Sequence, residues 1–337
     1  MKSIVIADDF HQSDLKPDGL LARYVGMLQA DVAAYLLNGK DLTDVPCPAC
    51  GGARRIKAGD KFGLHYQECA DCGTLYISPR PGDEAVVRFY REAPSRLFWE
   101  KQISEATRVQ RQEEIIRPRM EWVSDSTAEH CPRAGHWVGL HVNQPYYLDA
   151  MAAATAIARK TATCPYFDTA VMKVPSQVRL EPAPWWQMDI GGADVLTLFE
   201  LLDQTADVGG LLAKVRGTLG SGGLCFITAI LASGFDVKEL GPHAPNIFPP
   251  DRLNVFSAKG IRVLLEKNGF ELLEFSTPGV LDIEIVRKAL KADPSLGTSA
   301  FVRDLVLVQS AEVQKAFQEF LQANMLSSYG RILARKQ

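Results

Sequence analysis

Four cysteines carry the clearest chemistry in this sequence. They form two Cys-x-x-Cys pairs, Cys47 with Cys50 and Cys69 with Cys72, and eighteen residues separate the pairs. This spacing falls within the roughly 15–20 residues of a four-cysteine zinc site. A glycine follows the second cysteine of each pair and allows the turn that aims two thiolates at one centre. Four sulfur ligands leave no open coordination position, so we predict a structural zinc ribbon. The alternative is four unrelated free or disulfide-bonded cysteines.

A second set of polar residues follows a predicted strand at 194–199. Glu200 and Asp203 come directly after it, and ligand crevices in open α/β sheets form at the carboxyl ends of parallel strands. We therefore name both as candidate catalytic residues, against the alternative of two solvated carboxylates at a helix start. His243, in a loop between prolines, is a third candidate as an acid or base. Its alternative is a histidine hydrogen-bonded to backbone.

Charge and composition narrow the classes of partner. The 337 residues are 47% hydrophobic and 23% charged, with a formal net charge of −3, which is typical of a soluble globular protein. Arg54, Arg55, Lys57 and Lys61 give the ribbon a modest basic face without stacking aromatic residues or an overall basic balance. We predict no nucleic-acid partner and interpret this face as solvated surface.

The apolar runs and the remaining cysteines bear on the compartment. No uninterrupted apolar stretch reaches the roughly 18 residues of a membrane span, and the run at 4–7 is too short for a signal peptide. Cys131, Cys164 and Cys225 are odd in number and widely spaced, which argues against a disulfide framework. We expect a cytoplasmic protein with no membrane partner.

The pattern of apolar residues divides the chain into five parts. They are an N-terminal helical segment (1–45), the zinc ribbon (46–82), a helical connector (83–130), an α/β domain (131–290) and a C-terminal helical extension (291–337). Strand-like and helix-like segments alternate from residue 137 onward, which predicts βαβ units and a mainly parallel sheet. An apolar stripe on a predicted helix at 310–325 permits a homodimer.

Individual strands are also predicted. In the ribbon they lie at 62–66 and 75–77, and in the α/β part at 194–199, 224–230 and 270–276. The second strand of the α/β part is expected in the stretch 154–159, which ends at Arg159. No acidic residue follows there to bind the hydroxyls of a ribose.

Several of these segments resemble one family. Asp194 to Asp203 resembles the fourth strand and following loop of class I S-adenosylmethionine-dependent methyltransferases, and Leu219 to Gly223 matches that family's L-x-P-G-G turn. The whole arrangement is similar to a bacterial subgroup with an N-terminal zinc ribbon, associated with methylation of sugars or other small biosynthetic intermediates. Further similar motifs are Tyr66-x-x-Cys69-x-x-Cys72, Pro79-Arg80-Pro81, Ser95-x-x-Phe98-Trp99 and Thr277-Pro278-Gly279-x-Leu281-Asp282. The resemblance implies a Rossmann-like methyltransferase fold over most of the chain.

The sequence departs from this family at the cofactor loop. In the family the first strand ends in a D-x-G-x-G-x-G loop, whose glycines let the backbone approach S-adenosylmethionine. The corresponding stretch, 136–147, has one glycine, Gly139. The resemblance implies Gly139, Asn143 and Glu200 as cofactor-binding residues. Tyr146 and its neighbour Tyr147 are predicted to fill the vacated space instead.

Two polar positions differ as well. Gln204 and Arg252 stand where the family has histidine. Seating a ligand against bulky side chains costs about 1–3 kcal/mol per clash, by analogy with an overfilled core. Binding of S-adenosylmethionine is therefore in doubt, whereas zinc is expected.

Two hypotheses follow. The first is a methyltransferase-like protein with a degenerate S-adenosylmethionine site, acting as a non-catalytic or atypical-ligand subunit in small-molecule or sugar biosynthesis. The second is an active S-adenosylmethionine-dependent methyltransferase on a small metabolite or nucleotide-linked sugar. Under either hypothesis the expected partner is a small-molecule ligand or another protein.

Overall fold

The computed structural model describes residues 11–38, 42–142, 145–166 and 173–337. Asn143, a predicted cofactor contact, lies outside the described residues, as does the apolar run at 4–7. The described strands, in chain order, are β1 (Arg55–Lys61), β2 (Leu64–Cys69), β3 (Leu75–Ile77), β4 (His136–Gly139), β5 (Arg159–Thr163), β6 (Arg179–Glu181), β7 (Ala193–Phe199), β8 (Leu219–Ile230), β9 (Asn254–Val255), β10 (Phe270–Ser276) and β11 (Tyr329–Lys336).

Helices surround the strands. The α-helices are Gln12–Leu15, Asp18–Val32, Asp83–Glu92, Pro94–Phe98, Arg108–Arg111, Arg117–His130, Pro145–Ala153, Leu201–Gln204, Val208–Thr218, Phe235–Leu240, Ala258–Lys267, Asp282–Ala292, Ala300–Leu307 and Ala311–Ala323. Segments Ala33–Leu37, Trp99–Ser104 and Gln112–Ile116 are π-helical, and Trp185–Gln187 and Gly241–His243 are 3₁₀-helical.

The predicted N-terminal helix is present as Asp18–Val32 and its π-helical continuation. Tyr24, Leu28 and Val32 recur at four-residue spacing and are buried in one hydrophobic core cluster. The stretch Asp18–Leu37 is also long and apolar enough to span a membrane, with a mean hydropathy of 1.2, a property that core helices share. Its buried face lies against the rest of the chain.

The ribbon sheet is antiparallel in the order β1-β2-β3-β9. Its fourth strand comes from the α/β part, since Leu75 pairs with Val255 and Tyr76 with Asn254. The sequence predicted β2 and β3 but missed β1. All seven β1 positions carry charged, small or exposed side chains, so β1 shows no apolar alternation.

The larger sheet has seven strands in the order β10-β11-β8-β7-β4-β5-β6. Strands β4 to β8 are parallel, whereas β11 is antiparallel to both of its neighbours, β8 and β10. Strand order reverses between β4 and β7, the arrangement of a doubly wound α/β fold. The predicted Rossmann-like fold with an N-terminal ribbon is confirmed.

The predicted helical extension over 291–337 is wrong at its end, because Tyr329–Lys336 forms strand β11. Ile332, Leu333 and Ala334 are fully buried inside the sheet. Three apolar residues between charged ones carry too short a pattern to distinguish helix from strand, and pairing with β8 and β10 decides the outcome. The preceding helix Ala311–Ala323 was predicted. Val313 and Phe320 are exposed on it, and the homodimer stays a prediction.

The second strand of the α/β part also differs from its prediction. It is β5, Arg159–Thr163, and therefore begins where the predicted stretch ends. Lys160 and Thr161 are buried despite their polarity, which conceals the strand from an analysis of hydrophobicity. Cys164, Pro165 and Tyr166 follow it, and none of the three is acidic.

The predicted helical connector is present and packs on one face of the larger sheet. Trp122, on helix Arg117–His130, meets Phe226 of β8 with ring centroids 5.0 Å apart. Its indole N–H donates to Glu274 of β10 at 3.0 Å. These contacts hold the helix on the sheet, and Arg119, earlier on the same helix, lines the crevice described below.

Candidate metal centre and ligand site

The four predicted metal ligands come together. All four Sγ atoms lie within 4.8 Å of one another, and none is in a disulfide. Cys47 and Cys72 have Sγ atoms 3.5 Å apart, as do Cys50 and Cys69. A tetrahedral zinc ion with Zn–S bonds of about 2.3 Å separates its sulfurs by about 3.8 Å. The cluster therefore fits a four-cysteine zinc ion.

The α/β part holds the metal-binding turns through their backbone. The hydroxyl of Ser257 donates to the carbonyl of Cys72, and the ammonium of Lys259 donates to the carbonyl of Asp71 at 2.7 Å. Lys267 donates to the carbonyl of Cys50. Four thiolates around Zn²⁺ carry a net charge of about −2, so two lysines of helix Ala258–Lys267 stabilise the centre.

The crevice of the larger sheet lies where β4 and β7 end. Gly139 is the last residue of β4, and a methyl group there would lie 3.1 Å from Met151 Sδ and 3.3 Å from Val142 Cγ2. Gly139 thus allows close packing of the following helix. Its missing side chain makes room for Met151 and Val142, and no ligand approaches the backbone from that side.

His141 occupies the turn after β4 with a φ of 48°, in the left-handed region that glycine favours. The backbone N–H of Trp185 donates to His141 Nε2 at 3.0 Å. The ring proton therefore lies on Nδ1, which donates to the Tyr166 hydroxyl at 2.8 Å. Burial lowers the pKa of His141 to about 3. The imidazole is neutral and links the turn to the segment after β5.

A cavity of about 140 Å³ remains beside this imidazole, lined by His141, Tyr147, Tyr166 and Glu200 among others. Pockets for ligands of drug size are about 300–1,000 Å³. Tyr147 lies against Phe199 with ring centroids 5.5 Å apart, where it was predicted to fill space. Among the described residues this space is therefore smaller than a pocket that encloses a ligand of that size.

Tyr146 points elsewhere. Its hydroxyl lies 3.1 Å from Ser104 Oγ of the connector, and it lines neither this cavity nor the larger one. Of the two tyrosines, Tyr147 alone lines the smaller cavity.

Glu200, the first candidate carboxylate, lines the cavity and forms two ion pairs. Its oxygens accept from Arg119 Nη2 and Arg252 Nη2, each at 2.7 Å. Burial opposes ionisation of Glu200, but Arg252 and Arg119 outweigh it and hold its pKa well below the usual range. A carboxylate held in this way is a structural anion and not a proton acceptor at neutral pH.

Asp203 lies behind Glu200 and is fully buried. The Ile230 N–H donates to its carboxyl at 3.0 Å, and Arg252 Nη1 lies 3.5 Å away. Burial raises the pKa of Asp203 to about 8 against the opposing charge of Arg252. Burial thus disfavours the ionised form of this carboxyl group, which reaches neither cavity.

His243 does not join the site. It is exposed, in the 3₁₀ turn Gly241–His243, and lines neither cavity. Asn246, three residues on, lines the larger cavity and donates to Asp236 at 3.0 Å.

The larger cavity, of about 310 Å³, lies between the N-terminal segment, the connector and the loop at 278–282. Arg111, Arg119 and Arg252 line both cavities. Arg111 and Arg119 were not predicted from the sequence. The pattern that could have identified them is the four-residue spacing of Arg111, Ile115 and Arg119, which places two cations on one helical face with an apolar residue.

Comparison with known proteins bears on the family. Residues 107–274 match the model of a family described as a methyltransferase domain. Residues 107–274 thus form a methyltransferase domain. The predicted resemblance is thereby confirmed, and the matched segment includes β4 to β9, most of β10 and the second half of the connector. No curated protein matches the chain significantly by sequence.

Solved structures similar to this chain include two bacterial methyltransferases. A SAM-dependent methyltransferase from Thermotoga maritima is 14% identical, with a TM-score of 0.43, covering 71% of this chain and 98% of its own. The 1,6-didemethyltoxoflavin-N1-methyltransferase of Burkholderia thailandensis, solved with S-adenosylhomocysteine, is 14% identical, with a TM-score of 0.41, covering 81% of this chain and 99% of its own.

Proposed function

We propose that this protein keeps the methyltransferase fold but does not methylate, and that it acts as a ligand-binding subunit whose ligand is not S-adenosylmethionine in its usual position. The observation that supports this proposal is the position of the His141 imidazole, which is hydrogen-bonded to Tyr166 and Trp185 in the turn after β4. The subgroup resemblance connects such a role to the biosynthesis of sugars or other small molecules.

The cost of opening this turn supports the proposal. Moving the imidazole aside would leave the Trp185 N–H and the Tyr166 hydroxyl without their partner. Each buried group left unsatisfied costs about 1–3 kcal/mol, and each 1.4 kcal/mol weakens binding about tenfold. A cofactor would have to offset this cost before gaining affinity.

The charges of the crevice support it as well. Glu200, a predicted cofactor contact, is bound by Arg119 and Arg252. A ribose hydroxyl or an ammonium group would compete with two guanidinium groups for the same carboxylate oxygens. Asp203 is fully buried beside the Ile230 N–H and Arg252, so it supplies neither a base nor a free anion to a ligand.

Titration calorimetry of the zinc-loaded protein with S-adenosylmethionine tests the proposal. We expect no heat of binding for the wild type at low millimolar ligand. His141→Gly removes the imidazole at a position whose φ suits glycine, and His243→Gly is the matched control on an exposed histidine. Micromolar affinity of the wild type, with the ligand resolved over residues 139–142, overturns the proposal in favour of an active methyltransferase.

A further inference from the structure

The larger cavity gathers cations from distant parts of the chain. Lys16 follows the first short helix, Arg111 and Arg119 lie on the connector, and Arg252 precedes β9. Arg111, Arg119 and Arg252 are more than nine-tenths buried. Like charges brought together under burial are costly, and such arrangements cluster at functional sites.

These cations make few direct ion pairs. Arg119 and Arg252 share one carboxylate, Glu200, and Arg252 also lies 3.5 Å from the buried carboxyl of Asp203. Arg111 donates to neutral acceptors, the carbonyl of Leu15 at 2.7 Å and the hydroxyl of Thr107 at 2.8 Å. Lys16 has no carboxylate within ion-pair distance among the described residues. Burial first, and then Arg252 and Arg111, lower the pKa of Lys16 to about 8 against the opposing charges of Glu200 and Asp251.

The other carboxyl groups at the cavity wall have partners of their own. Asp251 accepts from the Tyr90 hydroxyl. Asp282 accepts from Ser327, from the Ser328 N–H and from Gln318. Glu114 also lines the cavity and has a partner. Arg252 Nε, in contrast, is buried without a hydrogen-bond partner, so this guanidinium keeps a free donor.

An aromatic wall completes the site. The Trp99 ring lies under both Lys16 Nζ, 5.9 Å from its centroid, and Arg111 Cζ, at 5.2 Å. Tyr24 packs on the same ring with centroids 4.8 Å apart, and Phe248 also lines the cavity. Cation–π contacts hold the two charges while the apolar surface around them stays uncovered.

We propose that this cavity binds a small organic anion, a carboxylate or phosphate monoester on an apolar body, with its charge between Lys16, Arg111 and Arg252. Guanidinium groups bind both kinds of oxyanion through paired N–H donors. The apolar body lies on Trp99. This proposal rests on the proposed function, since it identifies the class of ligand that the protein takes in place of S-adenosylmethionine.

Calorimetry with phenyl phosphate and phenylacetate tests the site, and phenylacetamide is the neutral probe of the same shape. We expect at least one anion to bind the full-length protein about tenfold or more tightly than the amide. The preferred anion identifies the head group as phosphate or carboxylate. Equal affinity for the amide and both anions overturns the proposal.

Two variants test which cations bind the charged group of the anion, and if one variant fails to fold the other is sufficient for the test. Lys16→Met and Arg111→Met are each expected to weaken binding of the preferred anion about tenfold or more. Arg108→Met, which removes an exposed arginine from the same connector, should bind as the wild type does. Wild-type affinity in both Lys16→Met and Arg111→Met overturns the assignment.

A structural role predicts a different result for stability. Arg111→Met removes both the repulsion from Lys16 and the donor to the Leu15 carbonyl, so its melting temperature without ligand is measured beside its anion affinity. Loss of stability together with unchanged anion affinity contradicts a binding role. Binding of S-adenosylmethionine would overturn the proposed function alone, provided that phenyl phosphate or phenylacetate still binds and Lys16→Met weakens it.

Discussion

Tyr66, in the ribbon, donates its hydroxyl to the backbone carbonyl of Arg252 at 2.7 Å. The same ribbon sheet takes in Asn254 and Val255 as its strand β9. The side chain of Asn254 in turn donates to the carbonyls of Leu202 and Thr205, in the segment after Glu200. The ribbon that carries the four-cysteine cluster and the arginine that lines both cavities are therefore connected by a continuous set of hydrogen bonds.

The first prediction concerns removal of the hydrogen bond from Tyr66 to the Arg252 carbonyl. Tyr66→Phe leaves the Arg252 carbonyl without its donor, and we expect a loss of about 1–3 kcal/mol in the free energy of unfolding. Denaturant titration measures the loss. Tyr35→Phe is the matched control, because that hydroxyl makes a long, exposed bond of 3.3 Å to the carbonyl of Glu92. Equal effects of the two substitutions would contradict a special role for Tyr66.

The zinc ligands give the second prediction. Cys47→Ser combined with Cys50→Ser removes two of four ligands, so the bound zinc, measured by mass spectrometry, should fall from about one ion per chain to none. Limited proteolysis should then cleave within 46–82. Cys131→Ser, outside the cluster, should retain the metal. A double variant that keeps its zinc would disprove the four-cysteine centre.

The third prediction concerns His141 and acid. Its pKa of about 3 when folded lies below the ordinary value near 6.5, so between these values the unfolded chain binds the extra proton. Wild-type stability therefore rises with pH over this window by up to about 1.4 kcal/mol per pH unit. His141→Asn, which tolerates the left-handed backbone, should lose this rise.

Denaturant titration from pH 4 to pH 7 measures the slope. The control is His243→Asn, on an exposed histidine, which should keep the wild-type slope. If the stability of His141→Asn and that of the wild type change with pH at the same slope over this range, the assignment of a buried neutral imidazole is refuted.

Asp203 gives the fourth prediction, with the opposite sign. Its pKa of about 8 when folded lies above the ordinary value near 3.9, so between these values the folded chain binds the extra proton. This group therefore makes stability fall as pH rises through the window, by up to about 1.4 kcal/mol per pH unit.

Asp203→Asn mimics the protonated acid and should remove that fall, so its advantage over the wild type grows from pH 5 to pH 8. Denaturation at several pH values measures it, and Asp189→Asn on an exposed carboxylate is the control. A constant difference between Asp203→Asn and the wild type would indicate an ordinary, ionised carboxylate.

Strand β11 gives the fifth prediction. Ile332→Ala, at a fully buried position, should cost about 2–5 kcal/mol in the free energy of unfolding. Ile56→Ala removes the same atoms from a side chain that is 61% exposed and should change little. Thermal and denaturant unfolding compare the two. Similar small losses would place β11 outside the core.

Local chemistry explains what the sequence could predict. The cysteine spacing encodes the metal centre because all four ligands lie within twenty-six residues. Strands β7 and β8 are apolar runs bounded by turn residues, and such runs are readable without tertiary knowledge. The same holds for the long N-terminal helix and its buried stripe.

Long-range pairing explains what the sequence could not predict. Lys16, Arg111 and Arg252 meet across more than two hundred residues of chain, and only the fold brings them to one cavity. Glu200 and Asp203 were predicted as similar carboxylates. Their proton affinities diverge because two arginines contact Glu200 whereas Asp203 is buried behind it.

The position of β11 has a consequence for biosynthesis. Strand β10 reaches the remainder of its sheet only through β11, so it cannot attach until the ribosome has translated residues 329–336. The ribbon similarly waits for β9, which is made about 180 residues after β3. Both sheets carry open edges during translation, and such edges expose nascent chains to aggregation. Metal capture by the early cysteines is then the first event that can secure the emerging polypeptide.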